Sequence, residues 1–369
     1  MSSAPKLTSA RIDAISVLAC TIPTDAPESD GTIEWDKTTI VIVEVKSGGT
    51  VGVGYSYADS SAARLIDTLL RHVIHGRDAL DIPGCWLAMV QSVRNLGRPG
   101  IASTAISAVD IALWDLKAKL LQLPLVKLLG AVREAIPVYG SGGFTSYSKE
   151  RLQRQLSGWV GSGISMVKMK IGRHPEDDVR RVRDAREAIG PEPRLFVDAN
   201  GAYSHKEALQ FAAQFQEANV TWFEEPVSSD DLEGLRLLRD HAPAGMEIAA
   251  GEYGYDANYF RCMLEAGAVD VLQADATRCG GVTGFLQATT LSAARSMQIS
   301  AHTAPSVHMH LCCAAPNAVH VEYFHDHVRI ENMLFDGVQQ PLSGSLAPDL
   351  TRYGLGLELR GSEVARFTS

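Results

Sequence analysis

The chain has 369 residues, 46% of them hydrophobic, and a formal net charge of −9. That length suits two domains, one of them large enough for a barrel of about 250 residues. The negative charge argues against nonspecific binding to nucleic acid or an anionic membrane, and no apolar run is long enough to span a bilayer. Residues 1–6 lack the apolar core of a signal peptide. Six cysteines with no C-x-x-C pair read as the reduced thiols of a cytoplasmic protein. Residues 8–60 read as a strand meander. The stretch 38–45 is rich in β-branched residues, Ser47-Gly48-Gly49-Thr50 is a turn, and 51–55 returns. Residues 61–130 read as helices, most clearly at 102–121, where Ile106, Val109, Ala112, Leu113 and Leu116 form an apolar stripe. Strands followed by helices predict an α+β domain over residues 1–130. From residue 136 strands and helices alternate. Strands are predicted at 136–141, 166–171, 194–199, 221–225, 247–252, 270–275, 298–302 and 320–324, with helices between them such as 176–189 and 206–217. This α/β pattern is a TIM-like (β/α)7β barrel over residues 131–339. Residues 340–369 are expected to fold back on the N-terminal domain and complete it.

Three of these strands end in acids: Asp198, Glu224 and Glu252, spaced 26 and 28 residues apart (198 to 224, 224 to 252). That interval is one βα unit, so adjacent parallel strands would project all three from one rim. Three converging carboxylates repel one another unless a cation sits among them. All-oxygen ligands select a hard divalent ion, Mg²⁺ or one like it. The strand at 166–171 carries Lys168 and Lys170 on one face by alternation. Downstream strands end in Asp275 and in His302, and the last carries Glu322.

In this order and spacing the motifs resemble the enolase superfamily, in its mandelate racemase/muconate lactonizing enzyme group. The matching elements are the K-x-K of Lys168 and Lys170, the D-x-N of Asp198 and Asn200, the E-E-P at Glu224, Gly251-Glu252, and Gly280 to Gly284 after Asp275. Residues 108–115 resemble the helix common to the family's capping domain. The resemblance implies one Mg²⁺ per subunit on Asp198, Glu224 and Glu252, a small carboxylate substrate, and a homo-oligomer.

It further implies removal of the proton α to a carboxylate, with the metal stabilising the resulting enediolate. Lys170 is then the base on one face of the substrate, its pKa lowered by the like charge of Lys168. Lys168 also suits the substrate carboxylate. His302 is the base on the other face, oriented by Asp275. Glu322 is expected to be a protonated acid with a raised pKa that donates to the substrate carboxylate. Asn200 supports the site, Glu225 lies behind it, and His308 and His310 are structural. Two stretches of the capping domain, 21–33 and 55–58, are expected to close over the barrel mouth, the first as a mobile loop. Ser29, Asp30, Tyr55, Ser56 and Tyr57 in these stretches suit the hydroxyls of a sugar acid. They favour an acid-sugar dehydratase that yields a 2-keto-3-deoxy acid. A racemase or epimerase of a 2-hydroxy acid, using the same two bases, is the alternative. A non-catalytic scaffold would have lost some of these residues.

Overall fold

Pairing among the β-branched segments builds the first sheet. A computed structural model describes residues 9–368; residues 1–6, which lack a signal-peptide core, lie outside that range. Strands β1 (Ala14–Ser29), β2 (Glu34–Ser47) and β3 (Thr50–Tyr57) form an antiparallel sheet in the order β1-β2-β3. The β2–β3 hairpin turns through Gly48 and Gly49, at φ 54° and 86°, a backbone that glycine adopts without steric cost. A Cβ at Gly52 or Gly54 would strike the helix Ile101–Leu120, so glycine lets that helix lie close on β3.

An apolar stripe predicts one buried face for this helix, yet nearly the whole helix is buried. The sheet covers one side and the barrel covers the other. Polar contacts fix the second packing. Ser107 Oγ accepts from the N–H groups of Gly280 and Gly281 at 2.9 and 3.2 Å. Asp110 Oδ2 accepts from Thr283 N at 2.9 Å, and Trp114 Nε1 donates to Thr283 Oγ1 at 3.0 Å.

Eight parallel strands close into a barrel: β4 (Ile136–Gly142), β5 (Met166–Lys170), β6 (Arg194–Asp198), β7 (Val220–Glu224), β8 (Glu247–Ala250), β9 (Val271–Ala274), β10 (Gln298–Ala301) and β11 (Ala318–Phe324), with β11 pairing back on β4. From β5 to β10 each strand stops one or two residues before its predicted limit. The chain leaves the ladder to turn, so Glu252, Asp275 and His302 sit just past their strands. Helices link successive strands, and a further helix, His325–Leu334, follows β11. Tyr139, Phe196, Trp222, Ala249 and Val271 plug the barrel interior below the rim.

The stretch 21–33, expected as a mobile loop, is mostly strand. β1 loses register between Pro23 and Glu28, then pairs again, Glu28 with Trp35 and Ser29 with Glu34. β2 supplies the partner that sequence alone does not reveal, and side chains fasten the result to the barrel. Arg329 Nη2 donates to Pro23 O at 2.7 Å, Arg151 pairs with Asp25 at 3.1 Å, and Thr38 donates to Asp326 at 2.5 Å. The stretch 55–58 lies almost wholly in β3.

The tail touches both parts. β12 (Phe335–Asp336) pairs with β14 (Glu358–Leu359), and β13 (Ser345–Leu346) runs antiparallel to β4. Leu125 N donates to Gly354 O at 2.7 Å. Among the described residues no helix is long and apolar enough to cross a membrane.

Asp115 binds helix, sheet and tail together. It is buried and accepts from Val53 N at 2.7 Å, Leu355 N at 2.6 Å and Lys119 Nζ at 2.6 Å. Asp115→Ala leaves two buried N–H groups without acceptors, each costing about 1–3 kcal/mol. Urea denaturation followed by circular dichroism is expected to show a loss of about 3 kcal/mol, and a smaller loss for Asp115→Asn. A loss for the alanine variant within error of zero would mean that the three segments hold together without it.

Candidate active site

Strand register sets the height of the site. Lys170 pairs with Asp198 across β5 and β6, and Asp198 with Glu224 across β6 and β7. Their side chains therefore leave the barrel at one level. Asp198, Glu224 and Glu252 are buried and bring ligand oxygens within 4.8 Å of one another.

Cations and N–H donors surround the trio. Lys168 Nζ lies 2.6 Å from Glu224 Oε1, 2.9 Å from Glu322 Oε1 and 3.4 Å from Asp198 Oδ2. Lys170 Nζ donates to Asp198 Oδ2 at 2.5 Å. Trp222 Nε1 donates to Glu224 Oε2 at 2.9 Å, and Arg278 Nη1 donates to Glu252 Oε1 at 3.1 Å. Glu252 Oε2 is buried and accepts no hydrogen bond, though His302 Nε2 lies 3.3 Å from it. Burial and neighbouring Asp198 push the Glu224 carboxyl up to about 8. Burial also opposes the charge on Asp198, but Lys170 and Lys168 hold its carboxyl below the usual range. Three buried carboxylates at this spacing, one with an oxygen that accepts no hydrogen bond, fit a hard divalent cation.

Burial opposes the charge on Lys170, and Asp198 more than offsets it, so the ammonium stays protonated above the ordinary lysine range. The lowering expected from Lys168 is present but outweighed. Asn200 adopts φ 48° directly after the β6 rim, and its N–H donates to Asp198 Oδ1 at 3.0 Å. Its Oδ1 is buried without a partner. Glu225, φ 38°, turns away behind the trio, and burial with Glu252 nearby raises its carboxyl.

His302 stands across the mouth. Its Nδ1 is 2.9 Å from Asp275 Oδ2, and Asp275 Oδ1 accepts from Thr277 N and Oγ1, both at 2.7 Å. This carboxylate is pinned, and the acceptor at Nδ1 leaves Nε2 as the working nitrogen. Burial disfavours the imidazolium, but Glu252, Glu322 and Asp275 raise the pKa of the ring. Thr303 and Ala304 follow at φ 52° and 39°.

Glu322 departs from its expected state. Burial raises its carboxyl, as the sequence suggests, but Lys168 and His302 bring it well below the ordinary value. It is a carboxylate that also accepts from Thr303 N at 3.1 Å, not a protonated donor. His308 accepts from Ala276 N at 2.9 Å through Nε2 and His310 from Val126 N at 3.3 Å through Nδ1, so both are structural.

A cavity of about 470 Å³ opens above Lys170, Asn200, Glu252 and His302, walled by β2, Tyr57 and His327. Asp30 and Tyr57 reach it, but Tyr55 and Ser29 do not line it. Tyr55 is fully buried and donates to Glu331 Oε1 at 2.6 Å. Ser29 meets Thr145 Oγ1 at 2.5 Å. Tyr55 and Tyr57, two apart on β3, share a face, but Tyr55 is wholly buried, with its ring edge-on to Tyr57 at 5.8 Å between centroids, so Tyr57 alone of the two meets the cavity. Sequence reasoning also missed Arg278, which backs Glu252. Its signal was a cation three residues after Asp275 in the same turn.

Residues 16–130 match the mandelate racemase / muconate lactonizing enzyme N-terminal domain, and residues 151–364 match the enolase C-terminal domain-like family. The chain belongs to the mandelate racemase/muconate lactonizing enzyme family. Its relatives include the L-talarate/galactarate dehydratase of Salmonella typhimurium, 32% identical over 368 residues, 96% of this chain and 90% of that protein. The structure of that dehydratase liganded with Mg and L-lyxarohydroxamate matches with a TM-score of 0.90 at 30% identity, over 100% of this chain and 95% of that one. A family-like protein from Rubrobacter xylanophilus is 53% identical, with a TM-score of 0.95 over 97% of this chain and 100% of that one. The 3,6-anhydro-alpha-L-galactonate cycloisomerase of Streptomyces coelicolor is 32% identical over 307 residues, 82% of this chain and 84% of that protein.

Within the family frame, the acidic trio generates a direct test. Glu224→Gln removes one of three charged oxygens and is expected to weaken Mg²⁺ binding by about a hundredfold or more, read by titration calorimetry. Affinity equal to that of the unaltered protein would remove Glu224 from the ligand set.

Proposed function

We propose that the protein is a Mg²⁺-dependent acid-sugar dehydratase that converts a sugar acid into a 2-keto-3-deoxy acid. The observation that carries this reading is that Lys170 and His302 line one cavity with Glu252 of the acidic trio. The sequence kinship with a sugar-acid dehydratase supports it. In this reading residues 131–339 carry the chemistry, residues 1–130 with the tail 340–369 cover it, and the protein works in the cytoplasm, in keeping with its six unpaired cysteines.

Mg²⁺ held by Asp198, Glu224 and Glu252 supplies Lewis-acid stabilisation of the charge that develops on the substrate carboxylate. The chain's own groups do the proton work. Lys170 Nζ as a neutral amine, or His302 Nε2 of a neutral imidazole, takes the proton from the α-carbon. The C–H electrons form the α,β double bond as the β-hydroxyl leaves, and the other group, protonated, delivers a proton to that hydroxyl so that water departs. The enol then tautomerises to the keto acid. Glu252, Glu322 and Asp275 raise the pKa of His302, which suits the ring to the donor role. Asp275 fixes the ring, with Thr277 holding Asp275 in turn. Lys168, braced by Glu224 and Glu322, offers positive charge to the substrate carboxylate. Glu322 aligns Lys168 and His302 as an anion, in place of the protonated donor that the family pattern suggested.

Sugar acids assayed with Mg²⁺ for keto-acid product provide the test. Asp275→Asn is expected to reduce kcat by about a thousandfold or more in a folded protein, because His302 loses its orienting acceptor. A near-normal rate would break the dyad assignment. His302→Asn is expected to abolish net dehydration while leaving exchange of the α-proton in D₂O through Lys170 for one substrate configuration. Lys170→Ala should show the converse pattern. Wild-type exchange of the same configuration in both variants, read by NMR, would mean that neither residue is the base.

A further inference from the structure

Of the charged side chains that line the cavity, all but one are engaged by a hydrogen bond or an ion pair. Asp30 turns back on its own hairpin and accepts from Thr32 N at 2.6 Å and Ile33 N at 2.8 Å. Asp59 caps the helix Ser60–Leu65 by accepting from Ser61 N at 2.8 Å. Glu252 pairs with Arg278, Lys170 with Asp198, and His302 with Asp275. Lys37 lines the same cavity, is exposed, and among the described residues makes neither an ion pair nor a hydrogen bond. It stands on β2 opposite Pro23, where β1 loses register, so the lid strands carry it over the barrel mouth.

We infer that Lys37 receives a second carboxylate, at the far end of the substrate, and that the preferred substrates are therefore dicarboxylic sugar acids. This rests on the proposed dehydration. The reacting carboxylate belongs at the floor of the cavity, near Lys168 and the acidic trio. A linear sugar acid then extends its far end upward, toward the lid. A terminal hydroxymethyl group would leave the Lys37 ammonium unpaired, whereas a terminal carboxylate meets it charge to charge. An ammonium on a flexible stem is suited to a carboxylate that arrives in more than one rotamer.

The experiment compares matched pairs that differ only at the far end, galactarate with galactonate and glucarate with gluconate, each with Mg²⁺ and each assayed for keto-acid product. The unaltered protein is expected to prefer the dicarboxylic member of a pair by about tenfold or more in kcat/KM, and the preference should shrink as salt is raised. Lys37→Gln is expected to lower the ratio of dicarboxylic to monocarboxylic kcat/KM by about tenfold, mostly through KM, and Lys37→Arg is expected to restore most of it. Equal or better turnover of the monocarboxylic members overturns the inference and leaves the dehydratase reading standing. So does a ratio that Lys37→Gln does not move. Failure of every sugar acid to give either keto acid or α-proton exchange overturns both.

Discussion

Three buried carboxylates with oxygens inside 4.8 Å of one another are the constraint on which the rest of this structure depends. In a low-dielectric barrel mouth such a group repels itself strongly. Everything nearby answers that repulsion. β5 places two ammoniums directly against it, Trp222 and Arg278 each donate to one carboxylate, and the trio itself is a donor set for a divalent cation. The same excess of negative charge serves a substrate that must become more negative as it reacts, because a cation held there stabilises both. The positive charges of the site are thus positioned by the negative ones, and neither set is stable without the other.

The covering sheet is joined to the barrel by polar handles on an otherwise apolar helix. Ser107, Asp110 and Trp114 all reach the turn and helix that follow β9, which also carry Asp275 and Arg278. The cap therefore docks on the segment that orients His302. Its lid edge is fastened separately, through Arg329, Arg151 and Thr38 to elements beside the barrel mouth. Held by both regions, β2 forms one wall of the cavity. In the proposed reading the catalytic groups come from the barrel and the far-end contact from the cap, so substrate choice can change without disturbing the chemistry.

The period of the barrel was legible because, after β4, each strand is a short apolar run that carries a chemistry-bearing residue at or near its end. Alternation correctly set Lys168 and Lys170 on one face, and the positions of Asp275 and His302 at neighbouring strand ends anticipated their contact. Charge state was not legible. Burial alone predicts a protonated Glu322, and only the three-dimensional placement of Lys168 at 2.9 Å reverses that. Lys170 shows the same limit, since the nearby Lys168 is visible in the sequence while the stronger pull of Asp198 comes from another strand. Tyr55 and Ser29 failed for a different reason. Polarity in a lid segment says nothing about how deeply a residue is buried or which neighbour takes its hydroxyl, here Glu331 for Tyr55 and Thr145 for Ser29. Lys37 sits in a run that reads simply as strand.

At the barrel rim, Asn200, Glu225, Thr303 and Ala304 all hold positive φ, and none is glycine. Each such residue costs about 1 kcal/mol or more relative to a relaxed backbone. Set against a typical net stability of roughly 5–15 kcal/mol, these four are a substantial concession. They lie immediately beyond Asp198, Glu224 and His302, where the chain must swing sharply from strand into turn while the preceding side chain stays aimed at the mouth. Selection for heat resistance would find its easiest gains at these positions, by admitting glycine. It would pay for them in slackened aim, so thermal endurance and turnover compete in this enzyme at the rim of the barrel, while the core is free to be improved.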